Sequence, residues 1–196
     1  DPMLLKSLRA PKSYNSLGII TTDCDDVTYS ALDEATKKAE VRVVYARSMY
    51  AGSSNASTKL AGECIGILAG VNPEEVRSGM EAAVAYIESG VAFQSANEDD
   101  SIVYYAQCIS STGSYLSKSA KIKEGEALAY VIAPPCEAIR AMDAALKAAD
   151  VELKSFSAPP GDTTFAGGLL PGDQPACKAA CEAFAEEVCR IADDPV

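Results

Sequence analysis

An internal repeat constrains this chain of 196 residues more than any other feature. The segment from Ala31 to Val41 lies over the segment from Ala141 to Val151, at a spacing of about 110 residues. The two agree at Ala31/Ala141, Asp33/Asp143, Ala35/Ala145, Lys37/Lys147, Ala39/Ala149 and Val41/Val151. Self-similarity on that scale means one small architecture used twice, so the chain reads as two units of about 90 residues rather than one large core. The flanks repeat as well. An apolar strand precedes each copy, Leu17 to Thr21 and Leu128 to Ala133, and another follows, Val41 to Ala46 and Val151 to Ser157. Each half then continues with a glycine-containing apolar strand, Gly62 to Gly70 and Phe165 to Leu170, and a proline-led helix, Pro73 to Glu88 and Pro175 to Ala192.

Helical periodicity supports these assignments. Val76, Met80, Ala83, Val84 and Ile87 make one apolar stripe; Cys177, Ala180, Cys181, Phe184, Val188 and Ile191 make its counterpart. The earlier helices carry Tyr29, Leu32, Ala35 and Ala39 in one half, and Ile139, Met142, Ala145, Leu146 and Ala149 in the other. The second half has an extra strand in front, Ser101 to Ser110, joined to the next through Thr112 to Ala120. Met3 to Leu8 resembles that linking turn, which places the missing counterpart strand N-terminal to Asp1. Both halves therefore read as an α+β fold, a mainly antiparallel sheet with two main helices. The polar segment Ser95 to Ser101 is the expected joint, giving domains 1–95 and 96–196.

Composition narrows the function. Seventeen basic against twenty-eight acidic residues give a net charge of −11, which repels nucleic acid and anionic membrane surfaces, so neither is an expected partner. With no histidine, imidazole triads, proton shuttles and histidine-containing zinc sites are excluded. No apolar run approaches the roughly 20 residues of a membrane span, and no signal peptide is readable at Asp1. Seven scattered cysteines without a C-x-x-C pair fit reduced thiols in the cytoplasm better than a disulfide framework or a metal site. Cys177 and Cys181, one turn apart on an apolar stripe, read as core packing. No phosphate-cradling glycine loop is present, and no enzyme activity is expected.

Several motifs act together: Asp25-Asp26-Val27-Thr28-Tyr29 entering the first helix, Ala46-Arg47-Ser48-Met49-Tyr50-Ala51-Gly52 after it, Thr112-Gly113-Ser114-Tyr115-Leu116-Ser117, and Ala133-Pro134-Pro135 at the second helix. Their combination resembles the tandem-domain shell proteins of bacterial microcompartments, in particular the ethanolamine-utilization type, over the chain from Leu8 to Pro195. The resemblance implies two circularly permuted, ferredoxin-like microcompartment domains per chain. It also implies a homotrimer acting as a pseudohexameric tile, lateral contacts with other shell proteins, and a place in the microcompartment shell. It implies a central pore and a smaller channel in each subunit where ethanolamine binds, with Asp25, Glu63, Phe93 and Thr163 as ligand residues. The turn here reads Asp162-Thr163-Thr164 where the family carries Glu-Thr-Asn. Some members bind cobalamin near the pore; no cofactor is otherwise expected.

The residues also admit plainer readings. One of two adjacent acids before an apolar helix serves as an N-cap, so Asp25 or Asp26 has that role open to it. Glu63, alone among apolar neighbours, fits an outward-facing edge position. Together, two carboxylates, a ring and a hydroxyl suit a small ammonium alcohol. The segment Arg47 to Ala61 is longer than its counterpart Ala158 to Thr163. Met49, Tyr50, Gly52, Ser53, Ser54 and Asn55 in it are the candidate gate of the central pore. A soluble small-molecule-binding regulatory module is the alternative function, since tandem ferredoxin-like units also build sensors.

Overall fold

The structure is a computed structural model and describes residues 1–48, 64–159 and 165–194. It divides into two units, Asp1–Val91 with Gly113–Leu116, and Ala92–Thr112 with Ser117–Val196.

In the first unit, α1 (Pro2–Ser7) leads to β1 (Ser16–Thr22), α2 (Asp25–Lys38), β2 (Val41–Ser48), β3 (Cys64–Gly70) and α3 (Pro73–Glu88). The second unit carries β4 (Gln94–Ser95), β5 (Val103–Ile109), β6 (Ala127–Ala133), α5 (Pro135–Ala148), β7 (Ser155–Ser157), β8 (Ala166–Gly172) and α6 (Gln174–Asp193), and α4 (Ser114–Ala120) precedes β6. The sheets run β1-β3-β2 and β4-β5-β6-β8-β7. All pairings are antiparallel, and β1-β3-β2 repeats as β6-β8-β7. The register repeats too, Ser16↔Gly70 through Thr22↔Cys64 against Ala127↔Gly172 through Ala133↔Ala166. The linking turn expected at Met3 to Leu8 is a helix, matching α4.

Local chemistry explains why the halves agree. The second helix of each unit starts on a side-chain cap followed closely by proline. Asn72 accepts the Glu75 N–H at 2.8 Å, and Asp173 accepts the Ala176 N–H at 2.7 Å. The first helix of each leaves through one extended alanine, Ala39 at φ −145°, ψ 158° and Ala149 at φ −146°, ψ 154°. The next valine then folds back on that alanine's carbonyl, at 2.8 Å for Val41 and 2.9 Å for Val151. The following strands diverge. β2 runs eight residues with a bulge between Val43 and Tyr45, while the second half keeps only a bridge at Val151 and three strand residues, less than the strand expected to run from Val151 to Ser157.

Small residues let the helices lie close on the sheets. A Cβ at Gly66 would stand 2.7 Å from Leu32 Cδ1, so glycine is what lets α2 approach β3. Leu32, Ala35, Val41, Leu68, Val76 and Ala83 form one core; Val131, Met142, Leu170, Cys177, Cys181, Phe184 and Val188 belong to the other. Three stripe residues fall outside: Ile139 is 51%, Val84 41% and Leu146 36% exposed. The helices turn Ala138, Ala141 and Ala83 inward instead, because a sheet this close admits methyl groups more readily than branched side chains.

Candidate functional site

Chain order brings Asp23, Cys24, Asp25 and Asp26 to the junction of β1 and α2. Two threonines fix that junction. Thr28 Oγ1 donates to the Cys24 carbonyl at 2.6 Å, and the single proton of Thr22 Oγ1 is directed to the same carbonyl, at 3.2 Å, or to the adjacent Thr28 hydroxyl. Cys24, extended at φ −141°, becomes the N-cap residue without a side-chain cap. Asp25 and Asp26 are therefore the first two helical residues, and neither is the N-cap that the plainer reading allowed.

Both carboxylates are buried, Asp25 at 4% exposure. Beside them the three strands of the sheet end in one row: Thr22 closes β1, Ser48 closes β2, and Cys64, paired with both, opens β3. Burial pushes the Asp25 carboxyl up from 3.8 to about 6. The Ser48 hydroxyl and the Asp26 N–H, which donates to Asp25 Oδ1 at 3.0 Å, pull it partly back. Ser48 Oγ, buried beside Asp25, is near enough to act on its carboxylate but lies outside good hydrogen-bonding geometry among the described residues. Burial also drives the Cys24 and Cys64 thiols up to about 12, helped by the negative charge of Asp25 and Asp26, so neither is a thiolate nucleophile near neutral pH. Tyr29, one turn along α2, is pushed up by the same burial. Among the described residues no lysine or arginine forms an ion pair with Asp25, and no cluster of metal-ligating side chains occurs. The corner is rich in acceptors and offers Asp25 no cationic donor. Its natural complement is a protonated amine, which supplies both the missing charge and the missing donors.

The other expected site residues fall differently. Phe93 lies half-buried in the second unit, its ring 5.5 Å from Tyr105 and 5.7 Å from Phe165, while Tyr105 meets Tyr130 edge-on at 5.4 Å. Asp25 belongs to the first unit. Glu63, Thr163 and the gate residues Met49, Tyr50, Gly52, Ser53, Ser54 and Asn55 lie outside the described residues. All seven cysteines are free, and Cys177 and Cys181 are buried in the second core as expected.

A third buried acid, Asp33, is not among the expected site residues. Asp33 is 1% exposed and accepts three backbone N–H groups, from Gly113 at 2.7 Å, Leu116 at 2.8 Å and Tyr115 at 3.2 Å. Thr36 Oγ1 takes the fourth, from Ser114, at 3.0 Å. A Cβ at Gly113 would stand 2.3 Å from Thr36 Oγ1, so only glycine fits. Tyr115 completes the contact against Tyr29, ring centroids 6.1 Å apart. Burial raises the Asp33 pKa despite the three amides. Its only mark in the sequence is an acid beside the apolar stripe of α2, next to Leu32.

Comparison with known proteins agrees with this architecture. The BMC domain model matches residues 16–97 and 131–194. The bacterial microcompartment shell protein EutL of Clostridium perfringens is 68% identical over the whole chain and 90% of its own length. EutL of Escherichia coli is 49% identical over 97% of this chain and 87% of that protein. Among solved structures, EutL from Clostridium perfringens superposes with a TM-score of 0.95 at 68% identity, covering 100% of this chain and 89% of that one. The ethanolamine utilization protein EutL from Leptotrichia buccalis reaches 0.94 at 62% identity, covering 100% and 90%. A trimeric microcompartment shell protein PduB, at 20% identity, TM-score 0.81 and coverage of 98% and 85%, shares the fold. With two copies of the repeat, both sheets in one order and relatives that match nearly all of this chain, the chain belongs to the BMC-domain family, as a tandem-domain bacterial microcompartment shell protein of the EutL type rather than an enzyme.

Proposed function

We propose that this shell protein forms a trimeric, pseudohexameric tile whose pores control the passage of small metabolites in ethanolamine degradation, and that ethanolamine binds at the corner of β1 and α2. The observation that carries the binding reading is Asp25, a buried carboxylate with a pKa near the physiological range and no cation paired to it among the described residues. An ammonium group there donates a charge-assisted hydrogen bond to the carboxylate, and the Ser48 hydroxyl beside Asp25 offers the alcohol a partner. The names of the relatives support the substrate class, one being described as an ethanolamine utilization protein. The trimer follows the family resemblance and the trimeric PduB of the same fold. Glu63, Phe93 and Thr163 are the further ligand residues that the family resemblance implies, and Met49, Tyr50, Gly52, Ser53, Ser54 and Asn55 are the proposed gate of the central pore.

Calorimetric titration of ethanolamine tests this. Binding by the unaltered protein and its loss in Asp25→Ala is the expected result. Equal affinity in both, or no heat with the unaltered protein at millimolar ligand, overturns the assignment. Because the free pKa is about 6, affinity should fall as pH drops through 6 and protonates Asp25.

A further inference from the structure

A cleft of about 900 Å³ opens at one end of the second sheet, where Val151 bridges Gly172, and every residue lining it belongs to the second unit. Three segments wall it: the loop after α4, the loop after α5, and the turn from β8 into α6. Ile122, Pro171 and Gly172 supply its uncharged lining. The volume is ample for a small metabolite.

Backbone hydrogen bonds fix the walls. On one side the Ile122 N–H bonds to the Ser117 carbonyl at 3.0 Å, the Gly125 N–H to that of Thr112 at 2.8 Å, and the Thr112 N–H to that of Glu126 at 3.0 Å. On the other side the Glu152 N–H reaches the Pro171 carbonyl at 2.9 Å and the Lys154 N–H that of Leu169 at 3.1 Å. A cleft held in this way is formed before a ligand arrives, so binding orders little.

The charges of the cleft are not balanced from within. Glu152 pairs with Lys154, the Asp173 carboxylate accepts the Ala176 N–H at 2.7 Å, and the Glu126 carboxylate accepts the Lys123 N–H at 3.3 Å. The ammonium groups of Lys121 and Lys123 and the carboxylate of Asp150 also line the cleft, and among the described residues none of them has an ion-pair partner. Lys121 stands in the left-handed region at φ 55°, where glycine is relaxed and lysine strained; the same loop uses glycine for its other left-handed position, Gly125 at φ 90°. A lysine kept at a strained position points to a use for its side chain. The matching loop of the first unit, aligned on Arg9 at the same φ, has Pro11 where Lys123 stands, so the pair of lysines is particular to the second unit.

We propose that this cleft binds the phosphomonoester of a small amino alcohol, the phosphate accepting from Lys121 and Lys123 and the ammonium donating to Asp150. Near neutral pH such a phosphate is largely dianionic, so two cations meet a dianion and one carboxylate meets one cation. The ligand is a zwitterion, and the site is separate from the ethanolamine corner of the first unit.

Calorimetric titration of the full chain with O-phosphoethanolamine, at about 20 mM salt to limit screening, should show one site per chain. Lys121→Gly and Lys123→Gln should each weaken binding at least about tenfold, while Lys121→Gly, relieved of strain, melts no lower than the unaltered protein. Asp150→Asn should weaken O-phosphoethanolamine and leave inorganic phosphate, which lacks the ammonium, no weaker. Free ethanolamine should not displace the phosphomonoester. No heat at about 10 mM ligand, or binding that both lysine variants leave intact, overturns the site. Displacement by ethanolamine puts the ligand at Asp25 and overturns it as well. Equal behaviour of the two probes with Asp150→Asn overturns the amino-alcohol assignment.

Discussion

Replacing Asp25 by asparagine should stabilise the protein near neutral pH, an uncommon outcome for removing a buried charge. The carboxyl titrates at 3.8 when exposed and at about 6 when folded, so the folded state holds its proton more tightly than the unfolded state does. Between those values folding takes up a proton, and stability falls as pH rises, the loss being complete above the folded pKa. Two pKa units correspond to about 3 kcal/mol. Asparagine keeps the shape and an oxygen for the Asp26 N–H and escapes the desolvation of a charge. The assay is urea unfolding of both proteins from about pH 4 to 8, with the difference between them taken at each pH. Near the low end the two should coincide; by pH 7 the variant should lead by about 2–3 kcal/mol. Ethanolamine at saturating concentration should close that gap from the side of the unaltered protein alone, because an ammonium compensates the buried carboxylate. A difference that stays constant with pH, or a variant less stable at pH 7 than the unaltered protein, refutes the reasoning.

Asp33→Ala should destabilise the first unit by about 3–5 kcal/mol, because three amides of a buried segment lose their acceptor together; hydrogen exchange at Gly113, Tyr115 and Leu116 should accelerate well before global unfolding. Reaction with Ellman's reagent under native conditions should modify Cys136 first, while Cys24, Cys64, Cys177 and Cys181 stay silent until denaturation, because burial denies both access and the thiolate form.

What the sequence disclosed was what local chemistry repeats. Matching apolar strands, alanine-rich helices and proline starts place α3 at Pro73–Glu88 to the residue, because the Asn72 cap and the apolar period are both contained within that segment. Phase was harder. Ile139 and Val84 sit beside the true core stripe, and with alanines available on either side only the nearby sheet decides which residue turns inward. The candidate site was half legible for a similar reason. Two acids at a helix start announce a polar corner, but the burial of Asp25 depends on Ser48 and Cys64, which arrive on other strands. The partnership of Asp33 with Gly113 spans eighty positions, and no local pattern at either end signals it.

That partnership also governs the order in which the chain can be finished as it is made. The residues assigned to the first unit all lie at or before Val91 except Gly113–Leu116, three of whose amides bond to Asp33 on α2. On a ribosome adding about 5–20 residues per second, those residues are synthesised seconds after Val91, and until they emerge Asp33 has no amides to receive. A fragment cut at the apparent boundary would hold that vacancy permanently. A half-length version of this protein, built to test one domain alone, should therefore include Gly113–Leu116 as a separate peptide or by fusion, because the natural seam of the fold does not coincide with the seam of the sequence.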